Sequence, residues 1–259
     1  MIVTTPENPD ARTVERARAI AEEWGAAYVP RRRNTITKLS GAHGNAEVAV
    51  VGPKEIKLVS PDAPPFFFHP SMGMIRIKRL MAGEPDSLIA VSGATAGDVV
   101  LDCTAGFGSD ALVFSYAVGS EGQVIALEVS PILHTIVREG LTLYESGVPE
   151  VNAAMRAIQT VNADYESYLR LMADNSVDIV YFDPMFERPV ETSTALAPIR
   201  SQAHREPLTL DSVREAVRVA RKAVVLKDHR DSGQFAQLGF SLARKSYSSV
   251  AYGVIKIEQ

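Results

Sequence analysis

Apolar positions recur with two different periods along the chain, and the change between them suggests how it is organised. Residues 2–5 form a short apolar run of strand type, and residues 10–24 put Val14, Ala17 and Ile20/Ala21 on one face of a helix. Gly25 ends that helix, and residues 27–29 read as another strand. Residues 48–51 and 55–59 flank Gly52-Pro53-Lys54, a hairpin turn signal. Residues 71–81 have helical spacing, and Gly83-Glu84-Pro85 follows as the best boundary. Residues 1–84 are expected to form a small α/β subdomain and residues 85–259 a second domain.

From residue 99 strands and helices alternate. Residues 99–102, 123–127, 158–162, 177–182 and 223–227 read as short strands, with helices at 110–118 and 131–145 and helical stretches between the later strands. That order predicts a mostly parallel sheet covered on both faces. Residues 239–244 and 250–257 are two adjacent strands, expected to close the sheet as an antiparallel hairpin.

Composition changes this picture little. With 46% hydrophobic residues the chain can bury a core without disulfides or metal. Cys103 is the single cysteine, which excludes an internal disulfide and suits a reducing cytoplasm. The start MIVTTPENPD lacks a signal-peptide pattern, and no apolar run approaches the roughly 18 residues needed to cross a bilayer. A cytoplasmic protein with no membrane partner is expected. The net charge of −4 does not mark a general polyanion binder, but the sign is uneven. Residues 1–90 carry 12 Lys/Arg against 10 Asp/Glu, and the remainder 15 against 21. Nucleic-acid contact would lean on the N-terminal part or on local patches.

The segment Val99-Val-Leu-Asp-Cys-Thr-Ala-Gly-Phe-Gly-Ser-Asp-Ala111 runs from a strand through a glycine-rich turn into a helix. Gly106 and Gly108 allow close backbone approach to a ligand, and the helix start beyond them offers free N–H groups. The spacing Gly106-x-Gly108-x-x-Ala111, with Glu128 twenty residues past Gly108, also satisfies a dinucleotide fingerprint. Charge favours another ligand. Asp102 at the strand end and Asp110 at the helix start would repel a pyrophosphate, whereas S-adenosylmethionine brings an ammonium and a sulfonium. In that reading Glu128 accepts hydrogen bonds from the ribose hydroxyls, and Asp164 accepts from the adenine amino group or caps the following helix. Cys103 is read as packing.

After the apolar strand 177–182 comes Asp183-Pro184-Met185-Phe186, at the strand edge where open α/β sheets bind ligands. An exocyclic amine is a poor nucleophile because its lone pair is delocalised into the ring. The Asp183 carboxylate and the Pro184 carbonyl could grip its hydrogens and turn the lone pair toward a methyl donor, while Phe186 stacks on an extruded base. Positioning supplies most of the acceleration, and no metal is needed.

These strings resemble the ribosomal RNA small subunit methyltransferase J family, guanine-N2 methyltransferases of class I. The shared pieces are Asp102-x-Thr-Ala-Gly-x-Gly-x-Asp-Ala111, Val180-Tyr-x-Asp-Pro-Met-Phe186 and Val224-Val-Leu-Lys227, within residues 95–230. The resemblance implies a Rossmann-like sheet with an antiparallel C-terminal hairpin, and S-adenosylmethionine as donor with S-adenosylhomocysteine as product. It implies an RNA partner, small-subunit ribosomal RNA. It also implies that Ser109, Asp110, Glu128, Val129, Asp164, Tyr165 and Asp183 line the donor site, beside the loop residues Asp102, Ala105, Gly106 and Gly108. The chain departs from the family at Ser109 and Val129, where the family has Arg. It departs again at Asp164-Tyr165, where the family has two serines, and at Glu187-Arg188. Those departures leave the identity of the target nucleotide open.

Other candidates carry weaker signals. Arg31-Arg32-Arg33 is a phosphate-binding cluster or a solvated basic loop. Phe66-Phe-Phe-His-Pro-Ser-Met-Gly73 reads mainly as packing, with His69 and Arg76 as substrate candidates. Lys227, at a strand end, either approaches substrate phosphate or forms a salt bridge. No Cys/His grouping has metal-ligand spacing, so no metal is expected. Three further readings stand: N-methylation of a small molecule or protein amide, a dinucleotide-dependent oxidoreductase, and a binding protein that keeps the donor fold without turnover.

Overall fold

In the computed structural model, residues 1–61, 63–184, 207–243 and 249–258 are described. They fall into two compact units. Unit 1 holds Met1–His69 with Pro131–Tyr144, and unit 2 holds Pro70–Ser130, with residues 145–184, 207–243 and 249–258.

Unit 1 is a five-stranded sheet with helices. Its elements are β1 (Ile2–Thr4), α1 (Ala11–Glu23), β2 (Ala27–Tyr28), α2 (Ile36–Ala42), β3 (Val48–Val51), β4 (Ile56–Val59) and β5 (Phe66–Phe67). The strand order is β2-β1-β3-β4-β5. β1 runs parallel to β2 and β3, while β3, β4 and β5 pair antiparallel. Helix α1 starts where Asp10 accepts the Thr13 N–H at 2.7 Å, and it buries Thr13, Ala17, Ile20 and Ala21. The short helix α2 is absent from the sequence expectation. Its seven residues are too few for apolar spacing to stand out, and its start depends on the Thr35 side chain capping Lys38 N–H.

The helix Pro131–Leu143, expected as an ordinary crossover, clusters with unit 1. Trp24 Nε1 donates to Thr135 Oγ1 at 3.0 Å, and Arg16 pairs with Glu139 at 2.7 Å. A Cβ on Gly140 would lie 2.0 Å from Cγ of Phe68, so this crossing requires glycine.

Unit 2 starts with α3 (Ser71–Met81) and α4 (Ser87–Ser92), and Gly83-Glu84-Pro85 lies between them, inside the unit. The close packing of α3 on α5 explains that membership: a Cβ on Gly73 would sit 2.9 Å from the Ser109 carbonyl. The sheet region runs β6 (Val99–Asp102), α5 (Ser109–Val118), β7 (Gln123–Glu128), α6 (the Pro131–Leu143 helix of unit 1), α7 (Pro149–Ala157), β8 (Ile158–Asn162), α8 (Tyr165–Leu171) and β9 (Val177–Phe182). Then come α9 (Leu210–Val219), β10 (Ala220–His229), α10 (Gln234–Gln237), β11 (Ser241–Leu242) and β12 (Val250–Lys256). The strand order is β11-β12-β10-β9-β6-β7-β8.

Strands β10, β9, β6, β7 and β8 are parallel, and β12 and β11 close the sheet antiparallel. The last strand lies between β10 and β11, so the hairpin folds back into the sheet. Strand β10 is longer than expected because a register shift between Ala220 and Ala223 admits Arg221 and Lys222. One sheet face buries Leu101, Leu127, Val180, Phe182 and Leu226, and the other buries Val100, Ala126, Ile179, Tyr181 and Val225. All six residues of β9 are buried, as a central parallel strand requires. The chain direction across the sheet reverses between β6 and β9, and the crevice beyond their C-terminal ends is where such sheets bind ligands.

Candidate functional site

At that crevice the loop after β6 is fixed by its own backbone. Asp102 Oδ1 accepts the Thr104 N–H at 3.1 Å, and Gly108 N–H reaches the Ala105 carbonyl at 2.7 Å. Gly106 has φ 50° and Gly108 has φ 73°. A Cβ at Gly106 would meet nothing nearer than the Thr104 carbonyl at 3.8 Å, so the left-handed backbone, not lack of room, calls for glycine. Gly108 caps α5 without a side chain, and Ser109 opens the helix.

Glu128 ends β7 beside this loop. Its Oε2 accepts the Gly106 N–H at 3.2 Å and its Oε1 accepts the Ser130 N–H at 2.8 Å. The Asn162 side chain holds the Glu128 and Val129 carbonyls at 2.7 and 3.0 Å, fixing the strand end. Val129, 36% exposed, places an apolar side chain next to the acid. Asp164 caps α8, accepting Ser167 N–H at 2.9 Å, so the capping role of that residue is real. The Tyr165 ring is buried edge-on to Phe182 at 5.5 Å. Cys103 is buried in the same cluster, and burial holds its thiol far above its ordinary value.

At the end of β9, the Asp183 N–H donates to Thr104 Oγ1 at 2.6 Å, latching the two loops together. Lys227 Nζ lies 2.6 Å from Asp183 Oδ2 and 2.9 Å from Asp110 Oδ2. Asp110 also accepts from the Tyr181 hydroxyl at 2.8 Å and from Arg76. Arg76 in turn holds both oxygens of Asp86 at 2.8 Å. The result is an alternating chain of charges, Asp86–Arg76–Asp110–Lys227–Asp183. The candidates Arg76, Asp110, Lys227 and Asp183 thus come together, and the Lys227 salt bridge is present. Asp110, expected to face a ligand cation, already has three internal donors. The sequence could not show this, because its partners lie 34, 71 and 117 residues away.

The environment separates these acids. Loss of hydration raises Asp183 to about 6 against the pull of Lys227, and the negative charge of Asp110 adds to the rise. Burial would also raise Asp110, but Lys227 and Arg76 hold it at about 2. Asp102, 1% exposed, is raised well above the carboxylate range by burial and then by Asp110. Burial, and then the Asp110 charge, push Tyr252 up to about 12. Among the described residues of this cluster, three carboxylates (Asp86, Asp110 and Asp183) share two cations, Arg76 and Lys227. The surplus is negative. With the open glycine turn, a strand-end acid and an apolar neighbour, the crevice fits S-adenosylmethionine, which has vicinal hydroxyls, an adenine ring and net positive charge.

Sequence reasoning missed Asp86, Thr104, Tyr181 and Tyr252. Thr104 and Tyr181 lie inside the motif strings, but nothing in their spacing distinguishes them. Phe186 lies outside the described residues, and Pro184 follows Asp183 at the crevice. Arg31, Arg33 and His69 belong to unit 1. Arg31 Nε donates to the Asn34 carbonyl at 3.2 Å, Arg33 is exposed, and His69 is within 3.0 Å of the Tyr144 hydroxyl. Phe66 and Phe68 are buried and Phe67 is exposed. Among the described residues no group of three or more His, Cys, Asp or Glu is placed to hold a metal ion, and no helix is long and apolar enough to cross a membrane.

Residues 60–239 match the family SAM_MT, described as "Putative SAM-dependent methyltransferase". Over 255 residues, 98% of this chain and 99% of the relative, the sequence is 41% identical to the uncharacterized protein YpiP of Bacillus subtilis (strain 168). It is 28% identical over 175 residues to the ribosomal RNA small subunit methyltransferase J of Hydrogenovibrio crunogenus, covering 62% of each chain. With the enzyme of the same name from Actinobacillus pleuropneumoniae serotype 5b the identity is 30% over 162 residues, covering 60% of this chain and 62% of the relative. These two matches span a little under two thirds of the length of the relatives. The SAM-dependent methyltransferase NGO1261 of Neisseria gonorrhoeae shares the fold, with a TM-score of 0.63 at 17% identity over 99% of this chain and 96% of the other.

Proposed function

The chain belongs to the SAM-dependent methyltransferase family, and from that premise we propose that it methylates an exocyclic amino nitrogen of RNA, the N2 of a guanine in small-subunit ribosomal RNA. Family membership decides between the two readings of the glycine turn, in favour of S-adenosylmethionine. The observation that carries the acceptor assignment is Asp183. It is a desolvated carboxylate beside Pro184 at the topological switch point, braced by Lys227 and Thr104. The relatives named for small-subunit ribosomal RNA support the choice of RNA.

When bound, S-adenosylmethionine supplies an electrophilic methyl group on a sulfonium that leaves as a neutral thioether. The residues of the chain do the rest by position. Glu128 takes the ribose hydroxyls, Val129 covers one face of the adenine, and Asp164 accepts from the adenine amino group while capping α8. The loop Ala105–Gly108, which Asp102 fixes through the Thr104 N–H, and Ser109 line the methionine end of the donor, and the negative surplus of the chain from Asp86 through Asp110 to Asp183 favours its positive charge. The Asp183 carboxylate and the Pro184 carbonyl accept the two amine hydrogens, which points the nitrogen lone pair at the methyl carbon. The methylated nitrogen would carry positive charge, and Asp183 would be placed to take its proton. With a carboxyl raised to about 6, that proton can be held and then lost to water near neutral pH. Phe186 stacks on the extruded base. Unit 1, with Arg31, Arg33 and His69, supplies part of the RNA contact.

Incubation with methyl-labelled donor and total RNA, followed by mapping of the labelled nucleotide, tests this reading. Label at guanine N2 in small-subunit RNA is expected. Label confined to protein or small molecules would replace the RNA assignment with the amide or small-molecule alternative.

A further inference from the structure

The charge chain extends away from the crevice, beyond any group that a methyl transfer needs to touch. We propose that Arg76, tethered by Asp86, is a positioning residue that governs how firmly Lys227 is held against Asp183. The proposal rests on the reading of Asp183 as the acid that accepts the amine hydrogens.

The geometry is that of a shared carboxylate. Asp110 takes a hydrogen bond from Arg76 on one side and from Lys227 on the other, with the Tyr181 hydroxyl as a third donor. Arg76 offers Nη1 to Asp110 and keeps Nε and Nη2 on Asp86, a two-point grip that fixes the guanidinium plane. Asp86 is itself fixed as the cap of α4, accepting the Leu88 N–H at 3.0 Å. Arg76 and Asp110 are both largely buried, with side chains 17% and 9% exposed, so solvent screens the contact little. Lys227 bridges the two acids. The more completely Arg76 neutralises Asp110, the more of the Lys227 charge is left for Asp183.

The groups that act on Asp183 come from several elements. Lys227 on β10 favours its charged form, and Asp110 on α5 opposes it. Burial raises Asp102 at the end of β6 and Tyr181 on β9 well above their ordinary values, and both feel the Asp183 charge in turn. Tyr252, the β12 register partner of Lys227, lies within the field of Asp110, Lys227 and Arg76. Among the described residues, Arg76 is the second positive charge that acts on Asp110. Replacing it leaves Asp110 with Lys227 alone, draws the ammonium toward Asp110 and exposes Asp183 to more of the Asp110 charge. Replacing Asp86 instead leaves Arg76 to act on Asp110 undiluted.

The test compares pH profiles of kcat for the parent, Arg76→Met and Asp86→Asn, with donor affinity by calorimetry and thermal unfolding of each. Asn at position 86 keeps a capping acceptor and one acceptor for Arg76. The parent is expected to lose activity below about pH 6 as Asp183 is protonated. In Arg76→Met that acid limb moves up. A displacement of about one unit is a roughly fivefold loss at pH 6 that disappears by pH 9. In Asp86→Asn the limb moves down. Opposite shifts support the proposal, because general damage to packing would move both variants the same way. An unmoved limb in both, or shifts of the same sign, overturns it and leaves the Asp183 reading standing. If Asp183→Asn is as active as the parent, the Asp183 reading fails, and the positioning role fails with it.

Discussion

The two edges of the unit 2 sheet are built from the same residue types to different ends. At the N-terminal edge, Asp98 before β6 pairs with Lys222, and Asp178 on β9 pairs with Arg221 at 2.9 Å. Each acid also accepts a backbone N–H, Thr95 for Asp98 and Val99 for Asp178, at 2.9 and 2.8 Å. Two acids meet two bases, and the bases reach solvent. At the C-terminal edge three carboxylates, Asp86, Asp110 and Asp183, share two cations, and Asp110 is held at about 2 while Asp183 is raised to about 6. One edge is neutralised locally. The other is left short of positive charge, which a cationic ligand can supply. Charge balance and hydration, not residue identity, separate a strand-end clamp from a site.

The largest effect expected from this contrast is at Asp183. Asp183→Asn should lower methyl transfer by about 10²–10³-fold, the scale for loss of one preorganised polar partner, with donor affinity largely kept. The same change should stabilise the fold near neutral pH. The folded value of Asp183 lies above its ordinary 3.8, so its favourable contribution is complete below pH 3.8 and is lost as pH rises through about 6. Asn does not undergo that loss. Thermal unfolding across pH 4–8 should show parent and variant diverging as pH rises. A variant that is less stable at pH 8 than the parent would make Asp183 a structural clamp like those at the other edge.

Asp110→Asn should do the reverse. Asp110 is held at about 2, so its stabilisation is present above the ordinary 3.8 and disappears as pH falls through about 2. Removing its charge leaves Arg76 and Lys227 without their common counterion, and breaking a buried pair in this way costs about 3–5 kcal/mol. The loss, read from denaturant unfolding at pH 7, should shrink toward pH 2. A cost that does not depend on pH would show that packing, not charge, makes Asp110 important.

These contrasts also explain what the sequence revealed. The glycine turn, Glu128 and Asp183 were legible because a strand, a turn and a helix must follow one another locally for the crevice to form, and local order is what residue spacing records. The parallel order of β6 to β10 was legible for the same reason. The fate of Asp110 was not. Its charge pointed to an external cation, while its real partners come from α3, β9 and β10. Asp86 lies just past the boundary segment 83–85 and carried no signal of its own, and its dual role as cap and tether appears only once Arg76 of α3 reaches it. Helices α2 and α4, of seven and six residues, are set by the caps Thr35 and Asp86 more than by any apolar stripe. The helix Pro131–Leu143 has the pattern of a crossover, yet Gly140 and Thr135 commit it to unit 1 through Phe68 and Trp24.

Glu128→Ala should weaken donor binding about 10–100-fold, the scale of hydrogen bonds to a charged acceptor. Calorimetry with S-adenosylhomocysteine would measure it. The substitution also removes the acceptor of Gly106 and Ser130 N–H groups, so the loop after β6 should become more open to hydrogen exchange. Unchanged affinity would take Glu128 out of the donor site and leave it as a loop brace.

The smallest effect belongs to the N-terminal edge. Arg221 holds both Asp178 oxygens, at 3.0 and 2.9 Å, and that contact holds the acid below its ordinary value. The guanidinium side chain is 36% exposed, so solvent screens the pair and its removal should cost no more than about 1 kcal/mol. Because the Asp178 value is lowered, the contribution exists above pH 3.8 and is lost as pH falls below it. Asp178 would still accept the Val99 N–H in Arg221→Met, so β6 keeps its starting register. Thermal unfolding should therefore shift by a few degrees at most, and methyl transfer and its pH profile should match the parent. If transfer falls as well, the two edges are coupled through β9, and the division between clamp and site drawn from their charge balance does not hold.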